Sequence, residues 1–183
     1  MTDLRFTRLR RAPLDAFPGA AELPDGGLCL SVFLVLEDPG RPGRILMGQV
    51  EPTAGWWELG GIDPGRLERI GDRWMLPSRQ LRFYEGPDEA AASILVDQLG
   101  ARAFPLEGPH VFSDPATGPT PGTRDPHWDV HFVYRGRWLL PTSPPTPAWR
   151  RLEFVDVAGT PHEAIARGQG DVLALVGLPP RRA

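Results

Sequence analysis

Residues 87 to 100 spell out a helix, and the rest of the chain has to be arranged around it. Pro87 suits the first helical turn, where its missing N–H is no loss. Ala91, Ile94, Leu95 and Leu99 repeat at helical spacing, and Gly100 stands where a left-handed C-terminal cap is needed. Upstream, the apolar run Leu28–Leu36 meets the turn residues Asp38, Pro39, Gly40 and Pro42, and Arg44–Val50 reads as its return strand. Strand-like residues resume at Arg73–Leu76 and Gln80–Tyr84. Downstream, Val111-Phe112, His127–Tyr134 and Leu152–Val157 read as strands, and Thr160-Pro161-His162-Glu163 has the form of a capping box before a terminal helix. This order predicts one α/β domain over residues 1–183, an α/β/α sandwich with a mixed sheet. Residues 1–26 form a lead-in segment. Residues 51–72, read as a long loop or a small hairpin with a turn at Gly60-Gly61, and residues 114–126 are the two long loops.

Composition narrows the function classes. With 183 residues, 41% hydrophobic and 23% charged, the chain is long enough to bury a core without staples. The formal net charge of −3 gives no general attraction to nucleic acid or to an anionic membrane. All 20 basic residues are arginine, which we attribute to coding bias, although arginine also suits bidentate contacts to phosphate. The single cysteine, Cys29, lies in an apolar run and reads as core. No signal-peptide pattern opens the chain and no apolar run reaches membrane-spanning length, so the expected location is cytoplasmic.

The sharpest motif is the segment Leu76-Pro77-Ser78-Arg79-Gln80-Leu81-Arg82-Phe83-Tyr84-Glu85 followed by the helix ending at Leu99-Gly100. It resembles the box of the Nudix hydrolase superfamily, which reads Leu-Pro-Gly-Gly, five residues, Glu, seven residues, Arg-Glu, an aliphatic, any residue, Glu-Glu, any residue and Gly. The spacing matches without a gap. Pro77, Glu85, Leu95 and Gly100 fall on their counterparts, and Asp97 and Gln98 occupy the paired acidic positions. Ser78 and Arg79 stand in place of the two glycines, Ser93 in place of the arginine and Ile94 in place of the next glutamate. The box is therefore degenerate. The resemblance implies a Nudix-like α/β/α sandwich, Mg²⁺ or Mn²⁺ as cofactor, and hydrolysis of a nucleoside diphosphate-linked or other phosphorylated small molecule. It also implies a homodimer.

On that register, Glu85 and Asp97 are the candidate catalytic residues, and Glu85, Glu89 and Asp97 the candidate metal ligands. Glu89, Ser93 and Asp97 share one helical face. Exchanging carboxylates for Ile94 and Gln98 weakens both metal binding and charge neutralisation, because Mg²⁺ needs hard oxygen ligands. A non-catalytic module binding a metabolite or a protein partner is thus the competing expectation. Ser78, Arg79 and Gln98 are candidate ligand contacts, Arg79 and Arg82 suit phosphate, and Trp56 and Trp57 suit base stacking. The alternation of His127–Tyr134 puts His127, Asp129 and His131 on one strand face. Asp129 is a further candidate ligand contact, and the three together form a possible zinc set. A rival glycine turn, Leu59-Gly60-Gly61, is rejected because Asp72–Pro77 cannot supply an acidic helix at the required distance.

Overall fold

The computed structural model describes residues 8–9, 28–102, 104–116, 127–140, 146–166 and 168–181. Leu28–Glu37 (β2) is the axis of a seven-stranded mixed sheet. It pairs in parallel with His127–Arg137 (β6), from Leu28 opposite Trp128 to Glu37 opposite Arg137. Every other strand pair is antiparallel. Arg8–Leu9 (β1), Arg44–Val50 (β3) and Ser78–Gln80 (β4) all meet β2, Glu107–Ala116 (β5) flanks β6, and Trp149–Asp156 (β7) flanks β3. The main path runs β5-β6-β2-β3-β7.

Strand β2 is apolar along nearly its whole length because both of its faces are covered. Val32, Leu34 and Leu36 pack with Ile94, Leu95 and Leu99 of Pro87–Leu99 (α3). Phe33 and Val35 turn the other way, toward Val172 and Leu173 of Gln169–Leu175 (α4). The chain is an α/β/α sandwich, as its element order predicts. No described helix is long and apolar enough to cross a membrane.

Helix α3 has the predicted limits. Pro87 occupies its first turn, Glu89 reaches back to the Gly86 N–H at 2.9 Å, and Gly100 takes the left-handed cap at φ 67°. Four other segments differ from expectation. Residues 51–72 are neither hairpin nor plain loop: they carry two short helices, Trp56–Gly60 (α1) and Pro64–Ile70 (α2), with Gly61 in the left-handed region closing α1 and Asp63 accepting from the Arg66 N–H at 2.8 Å. Both helices pack on the α3 side of the sheet through Trp56, Ile62 and Ile70. Of the expected 114–126 loop, residues 114–116 continue β5 and the remainder lies outside the described residues. In the lead-in segment, Arg8–Leu9 pair with Leu28 and Cys29, and the rest likewise lies outside. Thr160 does not cap a helix: its hydroxyl donates to the Asp156 carbonyl at 2.6 Å, a 3-10 turn covers His162–Ala164, and α4 begins only after Gly168 at φ 82°.

Two contacts fix α3 against the sheet. Gly48 on β3 leaves room for the Trp149 ring, since a Cβ there would lie 2.2 Å from the ring edge. Trp149 in turn donates its indole N–H to the Gln98 carbonyl at 2.8 Å, satisfying one of the orphan acceptors at the helix end. At the other end the Tyr134 hydroxyl on β6 donates to the Asp88 carboxylate. Burial, reinforced by that carboxylate, holds the Tyr134 phenol above its usual value. A raised folded-state value means that the stabilisation is complete below the ordinary tyrosine range near about pH 10 and disappears as pH rises through the folded value. Tyr134→Phe is therefore expected to lose about 1–2 kcal/mol near neutral pH in urea denaturation. Its difference from wild type should shrink in alkaline solution, and equal midpoints at neutral pH would contradict the contact's role.

Candidate functional site

The box strand is short, and its alternation decides what it presents. Arg79 lies opposite Val32 on β2, so its side chain enters the layer between the sheet and α3; Ser78 lies opposite Phe33 and turns toward α4. There the Ser78 hydroxyl is 3.4 Å from the Gln169 amide nitrogen, while the Gln169 oxygen accepts from the Leu76 N–H at 2.5 Å. Ser78 is a buried link between the box and α4.

Gln98, fully buried, uses its whole carboxamide internally. The oxygen accepts from the Ser78 N–H at 3.2 Å, and the nitrogen donates to the carbonyls of Ser78 at 2.9 Å and Leu59 at 3.1 Å. One side chain therefore ties α3 to β4 and α1. An amide suits this position because it supplies donor and acceptor together, whereas a carboxylate only accepts. Ile94, at the position of another family glutamate, is fully buried in the core under α3.

Arg79 is the unusual group. Its side chain is 0% exposed, and its Nη2 lies 3.5 Å from a Glu85 carboxylate oxygen. Among the described residues, Nε, Nη1 and Nη2 have no hydrogen-bond partner. Burial lowers the Arg79 pKa; Glu85 and, more weakly, Asp97 oppose that shift, and Arg82 adds to it. An arginine in a protein keeps its charge nonetheless. Glu85 also accepts from the Arg82 N–H at 2.8 Å, which closes the turn before α3. That turn exposes Phe83 and Tyr84, whose rings meet edge to face at 4.4 Å, and Tyr84 has φ 64°. Neither aromatic drew attention in the sequence.

The remaining candidates do not converge on one spot. Glu89 serves as the helix cap described above, and Asp97 is exposed on the outer face of α3. Trp56 is corrected from ligand platform to core: it is 1% exposed, its N–H donates to the Glu51 carbonyl at 3.1 Å, and its ring meets Trp149 edge-on at 4.9 Å. Trp57 is half-buried on α1, beside Glu58, whose carbonyl accepts from the Arg82 guanidinium at 3.1 Å. Asp129 sits opposite Cys29 on β2, on the α4 side of the sheet, whereas Arg79 is on the α3 side. The sheet separates the two, so Asp129 does not join the box. His131 shares the Asp129 face, is buried, and packs edge-on to Phe33 at 5.3 Å; the His127 side chain lies outside the described residues.

Most of the box positions are engaged within the protein and leave few free ligands for a divalent cation. Ile94 is core, the Gln98 amide is saturated by backbone, Glu89 caps the helix, and Glu85 faces a buried guanidinium. Among the described residues no group of three or more His, Cys, Asp or Glu side chains is placed to hold a metal. An open recess of about 500 Å³ is bounded by Gln49, Asp72, Arg73, Trp74, Glu163 and Ala164, none of them a box residue.

Strand order and helical layers define an α/β/α sandwich, in which the segment that resembles the Nudix box forms strand, turn and helix. No protein-family model and no curated protein matches the chain. Solved structures do align with it. They include a MutT Nudix hydrolase from Burkholderia pseudomallei, at 14% identity over 71% of this chain and 84% of that one, with a TM-score of 0.46. A MutT protein from Methanosarcina mazei Go1 aligns at 12% identity over 75% and 81%, TM-score 0.46. The Nudix domain of Shewanella oneidensis NrtR, crystallised with ADP ribose, aligns at 14% identity over 78% and 77%, TM-score 0.46.

The wiring of Gln98 yields a direct test. Gln98→Glu places at this position the acid that the Nudix box carries, but sets a buried carboxylate against the Ser78 and Leu59 carbonyl oxygens. It is expected to cost more than about 2 kcal/mol in chemical denaturation. A variant as stable as wild type would show that the carboxamide network is dispensable.

Proposed function

We propose that this chain is a Nudix-like module that binds a small phosphorylated molecule and does not hydrolyse it by a metal-dependent route. The observation that carries this reading is the internal use of the box: Gln98 is bonded to the backbone of three segments' junction, Ser78 and Leu59, and Glu85 is committed to Arg79 and to the Arg82 N–H. Beside it, half-buried Trp57 and Arg82 and exposed Tyr84 are the side-chain types that accept a base and a phosphate. A homodimer, which rests on the box resemblance alone, belongs to the same proposal, as does the cytoplasmic location expected from the sequence.

A second reading, a divergent hydrolase acting through Glu85 and Asp97 with Mg²⁺ or Mn²⁺, is favoured by one observation. Asp97 keeps a carboxylate at the box register and presents it on the exposed face of α3. Calorimetric titration with a panel of nucleoside diphosphate derivatives, ADP ribose first, separates the two, with product release followed in parallel in Mg²⁺, Mn²⁺ and chelator. The module reading expects saturable binding that chelator leaves unchanged, without product. Metal-dependent product release that disappears in Asp97→Asn would establish the hydrolase, and absence of binding across the panel would sink the proposal.

A further inference from the structure

Arg79 stands at the second glycine of the box, where the chain could have been bare backbone. Instead β4 turns a full guanidinium inward, beneath the start of α3, with no exposure to solvent. Such burial is costly: three nitrogens lack hydrogen-bond partners among the described residues, and the one close counter-charge, Glu85 at 3.5 Å, is beyond good hydrogen-bond distance. An uncompensated group of this kind calls for a reason. The reason is its place. Among the described residues its ion-pair partner is Glu85, a carboxylate that the box register would otherwise offer to a divalent ion.

We infer that the Arg79 guanidinium is a built-in replacement for the metal ion, neutralising Glu85 from inside the fold and excluding divalent cations from the box. Two physical effects act together. A doubly charged ion brought beside a desolvated guanidinium meets like-charge repulsion that little water is present to screen. The same pairing orients the Glu85 carboxylate toward the protein, since the oxygen nearest the guanidinium also accepts from the Arg82 N–H at 2.8 Å. Gln98 contributes by spending its carbonyl oxygen on the Ser78 N–H. The positive charge that a metal would bring is present permanently, in a form that chelators cannot remove.

This inference rests on reading Ser78–Gly100 as the box but not on any ligand, so its test contains no phosphorylated molecule. The full-length chain is titrated with Mn²⁺ alone, free ion being followed by electron paramagnetic resonance and fold by circular dichroism. Wild type is expected to leave Mn²⁺ free through the low-millimolar range. Arg79→Ala, which releases Glu85, is expected to bind one Mn²⁺ at least about tenfold more tightly than wild type, a factor equivalent to about 1.4 kcal/mol. Adding Glu85→Gln to that variant should abolish the gain. Submillimolar Mn²⁺ binding by wild type that Glu85→Gln removes would overturn the inference, and so would a folded Arg79→Ala with no tighter binding. If Arg79→Ala does not fold, Arg79→Ser is titrated in its place with the same two outcomes.

Discussion

The carboxamide of Gln98 is the contact through which the two halves of the box hold together. Helix α3 and strand β4 come from a continuous stretch of chain, but a turn separates them and neither has a reason of its own to stay in register with the other. Gln98 supplies it by closing on the N–H and carbonyl of Ser78 and by reaching the Leu59 carbonyl at the end of α1. Its own backbone carbonyl receives the Trp149 indole and the Thr146 hydroxyl, the latter at 2.9 Å. The consequences spread outward. Trp149 is held over Gly48 and against Trp56, so β3, β7 and α1 share one aromatic layer with the helix end. Hydrogen bonds in a dry interior stabilise modestly when made and cost more when broken, so such a hub matters chiefly by forbidding alternatives.

With that hub in place, the Arg79–Glu85 pair becomes intelligible. Strand β4 cannot slip by one residue without exchanging the faces of Ser78 and Arg79, which would break the Gln98 bonds. Arg79 is therefore held inside, and its charge has to be met there. Glu85 meets it from the turn before α3, at the point where the helix dipole also favours a negative group. The same carboxylate holds the Arg82 N–H, so the charge pair and the turn geometry support one another. Glu85 and Gln98, at two acidic positions of the box, are directed at the protein itself.

The sequence made the scaffold readable because the scaffold follows local rules. Pro87, the spacing of Ile94, Leu95 and Leu99, and Gly100 mark α3 to the residue, since each acts within a turn or two of its own position. The β2–β3 hairpin was legible for the same reason. The site was less so. Trp56 and Trp57 are neighbours in identical surroundings, yet only one is core; which one depends on how a five-residue helix sits on Trp149, far along the chain. Asp129 and Arg79 fall on opposite faces of the sheet because of the register of β6 and β4 on β2, and register is a property of strand pairs, not of either strand. Arg79 itself invites an exposed placement, as arginines seldom lie fully buried without pairing. The one available signal was its position at a glycine of the box, at the centre of a three-residue strand.

The central claim is that an internal ion pair, not a bound metal, balances the charge of this box. A double-mutant cycle in chemical denaturation with Arg79→Met and Glu85→Gln tests it most directly. The account predicts that Glu85→Gln alone, which strands a buried guanidinium, costs about 3–5 kcal/mol, while the double variant regains much of that loss, giving a coupling of at least about 1.5 kcal/mol. Additive single effects, or a Glu85→Gln variant as stable as wild type, would contradict it.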